Sequence, residues 1–326
     1  MTGAGVSNML RLIAGVAAGL LALLAGASCC AGVMVGAHLG YEGDINWQSN
    51  ILALESAIGR KLAIDSDYED WGGFPNVDRA RWDIENGRVP MLSWRIFYRL
   101  GTDSACATAS NIVAGRYDQQ LARQAAQINS LVAPVLIRFN YDMTNNEQNT
   151  CFTGFPINRN LALAGQKYIV AWRHIVDVFR RNGVTNARWV WAPGGNAYEK
   201  HDWRLFFPGV DFVDWIGLDK YNKSDTQASF ADDPSIKAFY EQTSTLGKPL
   251  MIAETGAVND PAKHPDPQSV WLATARLFLK DHPAIAAFVY FNAPGEYDRL
   301  HPGYGGSGYR LQGPGLAWFK FLAEYP

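Results

Sequence analysis

The sequence predicts an α/β fold of the parallel kind: a single (β/α)8 TIM barrel preceded by an N-terminal signal or anchor segment. Three observations predict it. From Val33 onward, short apolar runs alternate with helical patterns. The runs number eight, the strand count of a closed barrel of this type. No low-complexity linker divides them, so residues 31–326 read as one domain and residues 1–30 as a separate leader.

Strands are expected at residues 33–37, 62–64, 89–94, 135–139, 188–192, 213–218, 250–253 and 285–291. The helix between the fourth and fifth is the clearest. Tyr168, Trp172, Ile175, Val176 and Phe179 fall on one face at helical spacing. Arg180 and Arg181 occupy its last turn, and Asn182-Gly183 is a stop signal. Ahead of the fourth strand, Leu121, Ala125, Ile128 and Leu131 make a similar stripe. Residues 106–110 and 294–315 read as loops, the second dense in Gly and Pro.

The formal net charge is −2, so no basic footprint points to nucleic acid. Charged residues make up 18% and hydrophobic residues 48%, which suits a folded core rather than disorder. Aromatics reach 13%, with 11 Trp, a supply that serves a large core and also the flat apolar faces of sugars. At the N-terminus, Arg11 precedes an apolar stretch ending at Ser28-Cys29-Cys30, the pattern of an export signal. Three forms stay open: a cleaved signal peptide, a lipoprotein signal with Cys29 lipidated, or an uncleaved anchor. No charged side chain occurs between Leu12 and Glu42, so a spanning helix of about 20 residues fits. Each form implies an exported protein, secreted or attached to the outer face of the cell membrane. Cys106 and Cys151 follow the third and fourth strands, where in an oxidising compartment a disulfide between neighbouring loops is one outcome. No Cys/His spacing suggests zinc, and nothing in the chain implies a cofactor or metal.

Two acids end apolar runs. Asp142 lies in Val135-Leu-Ile-Arg-Phe-Asn-Tyr-Asp142 and Glu254 in Pro249-Leu-Met-Ile-Ala-Glu254-Thr-Gly. Barrels present their chemistry at strand ends, and the cost of burying charge argues against packing as the reason for both. A carboxyl pair across one gap is the equipment of a glycosidase.

These segments resemble glycoside hydrolase family 26, a group of retaining β-glycanases best known as β-mannanases. The resemblance runs through Gly87-Arg-Val-Pro-Met-Leu-Ser-Trp94, Gly115-Arg-Tyr-Asp118, residues 135–143 and 168–179, and Arg188-Trp-Val-Trp-Ala-Pro193. It is most specific over residues 207–222 and over Lys248-Pro-Leu-Met-Ile-Ala-Glu-Thr-Gly256. The resemblance implies Glu254 as nucleophile and Asp142 at the acid/base position. It implies Tyr221 as a hydrogen-bond donor to Glu254, Arg138 as the cation that keeps carboxylates ionised, and Trp94, Trp191 and Phe291 as walls beside the cleaved sugar. Asp219 is expected to face the mouth near Tyr221 and Asp214 to form a salt bridge at a strand start; His38 reads either as a contact to a distal sugar or as a hydrogen-bonded residue of the mouth. His174 reads as structural.

The chain departs from the family where it matters most. The family reads His-Glu at the acid/base position, and this chain reads Tyr141-Asp142, continuing Met143-Thr-Asn-Asn. Asp withdraws the carboxyl by about 1.5 Å relative to Glu. Retention expects the two carboxyls about 5–5.5 Å apart, and a wider gap leans toward inversion. Glu147 is a second acid within reach of the same loop. The implied substrate is a polysaccharide or oligosaccharide, β-mannan first, then β-1,3-xylan, mixed-linkage glucan or a cell-envelope glycan. The competing reading is a catalytically impaired carbohydrate-binding protein on the same barrel. A membrane-held scaffold accounts for the N-terminus alone.

Overall fold

The computed structural model describes residues 32–39, 45–100, 103–144, 146–223, 228–258, 266–292 and 308–324, with backbone only for 98–100, 103–105 and 146–149. The leader and Glu42 lie outside these residues. Among the described residues no helix is long and apolar enough to cross a membrane.

Eight parallel strands close a barrel. In chain order they are β1 (Met34–Leu39), β2 (Ile64–Glu69), β3 (Val89–Trp94), β6 (Val135–Phe139), β7 (Ala187–Trp191), β8 (Trp215–Asn222), β9 (Leu250–Ala257) and β10 (Ile285–Asn292). Each pairs with its successor, and β10 returns to β1. Between β3 and β6 lies an antiparallel hairpin, β4 (Phe97–Leu100) and β5 (Asp103–Cys106), which was not among the expected strands.

Two apolar layers hold the barrel. Ile64, Met91, Leu136, Val190, Trp215, Met251 and Val289 fill its interior. A larger layer joins the outer strand faces to the surrounding helices and includes Trp94, Phe139, Trp172, Trp191 and Phe288. Residues along a strand alternate between the two layers, as the pleat requires.

The strongest helix pattern gives the longest helix, Leu161–Arg181. Asn160 caps it, accepting from the Leu163 N–H at 3.0 Å. Tyr168, Ala171, Trp172, Ile175, Val176 and Phe179 form its buried face, and Gly183 takes φ 72° just beyond its end. Burial of each large side chain in that face contributes roughly 1.5–3 kcal/mol.

The second strand is the main correction to the expected elements. It runs Ile64–Glu69 rather than over 62–64, with the sequence Ile-Asp-Ser-Asp-Tyr-Glu. Its outward positions are acidic yet buried, because Arg79 of the following helix holds Asp65 and Asp67 and the cap of that helix holds Glu69. Arg79 Nε meets Asp65 at 2.8 Å, Arg79 Nη1 meets Asp67 at 2.8 Å, and Glu69 accepts the Asn76 N–H at 2.9 Å. A strand whose outer face is satisfied by ion pairs needs no apolar run. Asp214, expected in a salt bridge, instead accepts the Trp189 N–H at 2.7 Å, tying β7 to the start of β8.

Cys106 at the end of β5 and Cys151 in the helix Asn146–Thr153 form a disulfide, their Cα atoms 6.3 Å apart. It joins the hairpin after β3 to the segment after β6, at the strand ends that carry the acids.

Candidate active site

Strand pleating decides which side chains reach the barrel interior. Ser93 on β3, Arg138 on β6, Asp219 and Tyr221 on β8, His38 on β1 and Tyr68 on β2 all point inward: Arg138 meets Ser93, Asp219 and Tyr68, Tyr68 meets His38, and Tyr221 meets Phe291 of β10. Glu254 needs an additional device. Met251 and Ala253 face the interior, so strict alternation would turn Glu254 outward. The register of β9 slips against β8 between Leu218 and Asp219, and against β10 between Phe288 and Tyr290. This irregularity turns Glu254 into the mouth.

Three donors converge on the Glu254 carboxylate. Tyr221 hydroxyl donates to Oε1, and Tyr68 hydroxyl and Arg138 Nη2 both donate to Oε2. Arg138 is fully buried and spans the site. Its Nη1 meets Asp219 Oδ1 at 2.7 Å, its Nε donates to Ser93 Oγ at 3.1 Å, and its Nη2 lies 3.3 Å from the Tyr68 hydroxyl. The Tyr141 ring covers the guanidinium at 4.2 Å.

These contacts sort the carboxyls into different protonation ranges. Burial, the largest influence on Glu254, pushes its carboxyl upward, but the Arg138 charge and the hydrogen bonds from Tyr221, Tyr68 and Arg138 together hold it below the ordinary range. Asp219 goes the other way. Burial pushes it well above the ordinary range, Arg138 offsets only part of this, and Glu254 and Asp142 push it further. One cation between two buried carboxylates satisfies one of them.

Asp142 stands just beyond β6. Its N–H bonds to the Ala192 carbonyl at 3.0 Å, and its backbone takes φ 54°, with φ 40° at Asn140. Left-handed backbone at two non-glycine residues is strain stored at the site. Asp142 is pushed up to about 6, first by burial and then by the negative charge of Glu254, against the smaller opposing pull of Arg138 and Lys223. The two acids therefore influence each other: Glu254 is held ionised, and Asp142 keeps its proton up to about pH 6, where an ordinary Asp has already lost it. That division is what acid-assisted displacement at a glycosidic carbon requires.

His38 is buried, and its Nδ1 donates to the Ser66 carbonyl at 2.8 Å. Burial lowers its pKa to about 4, so the ring is neutral with Nε2 available as an acceptor. Phe291 stacks on His38 at 4.9 Å between centroids and is partly exposed, with Tyr68 and Tyr221 at 5.9 and 6.0 Å.

Several expected site residues sit elsewhere. Trp94 is fully buried outside the barrel, stacked on Trp71 at 4.6 Å and Phe74 at 4.2 Å. Ser93 already takes the inward position beside Arg138, so the pleat turns Trp94 out. Trp191 is likewise buried among Trp203 and Phe207, its Nε1 donating to the Phe206 carbonyl at 3.1 Å, because Val190 and Ala192 take the inward positions. Neither ring is a wall of the mouth. Arg138 is fully buried and Asp219 nearly so, and Arg138 links Asp219 to Glu254 through one guanidinium. His174 pairs with Asp118 at 2.6 Å, remote from these groups. The Glu147 side chain and the 294–307 part of the expected long loop lie outside the described atoms.

Tyr68 is the member of this cluster that sequence reasoning missed. It sits on the strand whose acidic outer face hid its length. The signal available was the alternation of Ile64, Ser66 and Tyr68 with acids.

Comparison with known proteins agrees with this architecture. Endoglucanase H of Acetivibrio thermocellus is 27% identical over 257 residues, covering 74% of this chain and 26% of that protein. A mannan endo-1,4-beta-mannosidase of Bacillus subtilis strain 168 is 26% identical over 252 residues, covering 69% of this chain and 66% of the relative. The chain thus spans about a quarter of the first relative and just under two thirds of the second. Among solved structures, GH26C from Muricauda sp. MAR_2010_75 superposes with a TM-score of 0.64 at 14% identity, covering 97% of this chain and 89% of that one, which shows a shared fold. The model of glycosyl hydrolase family 26 matches residues 40–270, and that span holds the acid of β9, the acid beyond β6 and the arginine between them: this chain belongs to glycosyl hydrolase family 26.

Proposed function

We propose that the protein is a retaining endo-β-glycanase that hydrolyses O-glycosidic bonds of a β-linked polysaccharide, with Glu254 as nucleophile and Asp142 as acid/base. The observation that carries this reading is the opposed protonation of the two acids. Glu254 is held below the ordinary carboxyl range by three donors, and Asp142 is pushed up to about 6 by burial and by Glu254 itself.

The sequence of events follows from those environments. Glu254 attacks the anomeric carbon as Asp142 gives its proton to the leaving oxygen. Bond formation removes the Glu254 charge, and with it one of the influences that raised Asp142. Asp142, ionised by that transfer and now free of the neighbouring charge, draws a proton from the incoming water as the water oxygen bonds to the anomeric carbon and the bond to Glu254 breaks, releasing the sugar with its original anomeric configuration. Tyr221 and Tyr68 keep the Glu254 carboxylate in one orientation throughout. In this reading His38 Nε2 accepts a hydrogen bond from a hydroxyl of the bound sugar, and Phe291 offers a face for its ring.

β-Mannan is the first candidate substrate, because a curated relative is a mannan endo-1,4-beta-mannosidase, and β-glucan follows from the endoglucanase relative. Export is proposed on the leader pattern of residues 1–30 and on the Cys106–Cys151 disulfide, which suits an oxidising compartment. Either a cleaved signal or attachment to the outer face of the cell membrane meets that requirement.

The test is kinetic. The Asp142→Ala variant is expected to lose about 10²–10⁴-fold in kcat/KM on mannohexaose. On a dinitrophenyl glycoside, whose leaving group needs no proton, the first step is expected to survive. Full activity of that variant on both substrates would end the assignment. Saturable binding of mannohexaose by the unaltered chain with no turnover of either substrate would establish the binding-protein alternative.

A further inference from the structure

The shortened acid raises a question of placement, and the segment after β7 answers it. Ala192-Pro193-Gly194-Gly195 is locked between two neighbours. Asp219 N–H donates to the Pro193 carbonyl at 3.0 Å, Gly195 N–H donates to the Asp219 carbonyl at 3.1 Å, and Gly194 bridges Asp219 in parallel fashion. On the other side, Asp142 N–H is bound to the Ala192 carbonyl. The backbones of Gly194 and Asp142 are therefore both anchored to the same strand end.

The space between them is occupied by the acid itself. A Cβ at Gly194 would fall inside the van der Waals envelope of Asp142 Oδ1, and the next nearest atoms, Asp142 Cγ at 3.5 Å and Thr144 Oγ1 at 3.6 Å, are at ordinary contact. Gly194 has no positive φ to demand glycine for backbone reasons. Its lack of a side chain is thus explained by one atom, the carboxyl oxygen of Asp142.

We infer that Gly194 is the positioning residue of the acid: the missing side chain is the seat of Asp142 Oδ1, and it fixes where the proton is offered. This rests on the assignment of Asp142 as acid/base. The left-handed backbone at Asp142 directs a short side chain sideways onto the glycine, and the glycine lets it settle there. An alanine would drive the oxygen aside by on the order of 1 Å, enough to spoil a proton transfer that depends on alignment.

The experiment is a double-mutant cycle of G194A and D142A, read as kcat/KM on mannohexaose and on dinitrophenyl β-mannobioside, with thermal denaturation alongside. G194A is expected to lose about tenfold or more on mannohexaose and less than about twofold on the aryl glycoside. In the D142A background the clashing oxygen is absent, so G194A is expected to change neither rate nor melting temperature. If G194A costs as much with D142A as without it, the glycine serves the backbone and the inference is overturned. Unchanged turnover of mannohexaose by G194A overturns it as well. If G194A alone does not fold, the double variant decides: folding with the melting temperature of D142A supports the seat, and failure to fold contradicts it. D142A with full mannohexaose activity would instead remove the acid assignment, an outcome separate from any behaviour of G194A.

Discussion

Replacing Tyr68 with Phe isolates a single hydroxyl on the proposed nucleophile. The ring contacts with His38 at 4.6 Å and Tyr141 at 5.5 Å do not involve that oxygen, so a phenyl ring keeps them. What is lost is one of the two donors to Glu254 Oε2, while Arg138 stays on that oxygen and Tyr221 on the other. A hydrogen bond to a charged acceptor contributes about 1.5–3 kcal/mol. At about 1.36 kcal/mol per pKa unit, removing it raises the Glu254 carboxyl by about 1–2 units, an upper bound because Arg138 shares the load. Glu254 must be ionised to attack, so the acidic limb of kcat/KM moves to higher pH by that amount, and the alkaline limb set by Asp142 stays. Stability has the same sign. A carboxyl held low in the folded protein contributes stability above its unfolded pKa and loses it as pH falls through the folded value. The variant therefore retains less of that stability near neutrality; the loss on acidification begins at the same unfolded pKa and is complete at a higher pH. The assay is kcat/KM against pH from about 3 to 8, a window that brackets ordinary carboxyl values, with melting curves at each pH. An acidic limb that coincides with the unaltered chain's would refute the view that Tyr68 holds Glu254 ionised.

Other consequences concern the acid and the corrected tryptophans. Asp142→Asn is expected to abolish the alkaline limb that Asp142, with its pKa of about 6, imposes on kcat/KM for mannohexaose. Because Asp142 is raised in the folded protein, its ionisation opposes folding from the unfolded pKa upward and fully above about 6. The same variant is therefore expected to be more stable at about pH 8 by up to about 3 kcal/mol, and equal to the parent at about pH 3, by urea denaturation. Trp94→Ala empties a fully buried stack, so a loss of about 3–5 kcal/mol is expected with KM within about twofold in the protein that remains folded. A large rise in KM without loss of stability would restore Trp94 to the mouth.

The barrel was legible because most of its strands are sheathed on both faces, leaving apolar runs at β3, β6, β9 and β10 that composition alone reveals. β2 escaped because two of its outer acids, Asp65 and Asp67, are neutralised by Arg79, a partner from the following helix that no local pattern announces. Tyr68 was lost with it. Trp94 and Trp191 were misplaced for a different reason. Their residue type suits a sugar site, but the pleat counts from the residues beside them, and Ser93 and Val190 hold the inward places. Glu254 shows the opposite case: alternation from Ala253 points it outward, and a register slip that depends on the neighbouring strands turns it in. Tyr221 was placed correctly through resemblance rather than through its own strand pattern, since its partner is the acid of the adjacent strand. The left-handed backbone at Asp142 and the closeness of its carboxyl to Gly194 are tertiary features, visible only when the segments beyond β6 and β7 lie side by side.

Trapping with 2-deoxy-2-fluoro-β-mannosyl fluoride, followed by mass spectrometry of the digested protein, addresses the pair of acids most directly. One adduct per chain is expected, on the peptide containing Glu254, with Asp142 unlabelled. A label on Asp142, or rapid fluoride release with inversion at the anomeric carbon and no adduct at all, would contradict the assignment.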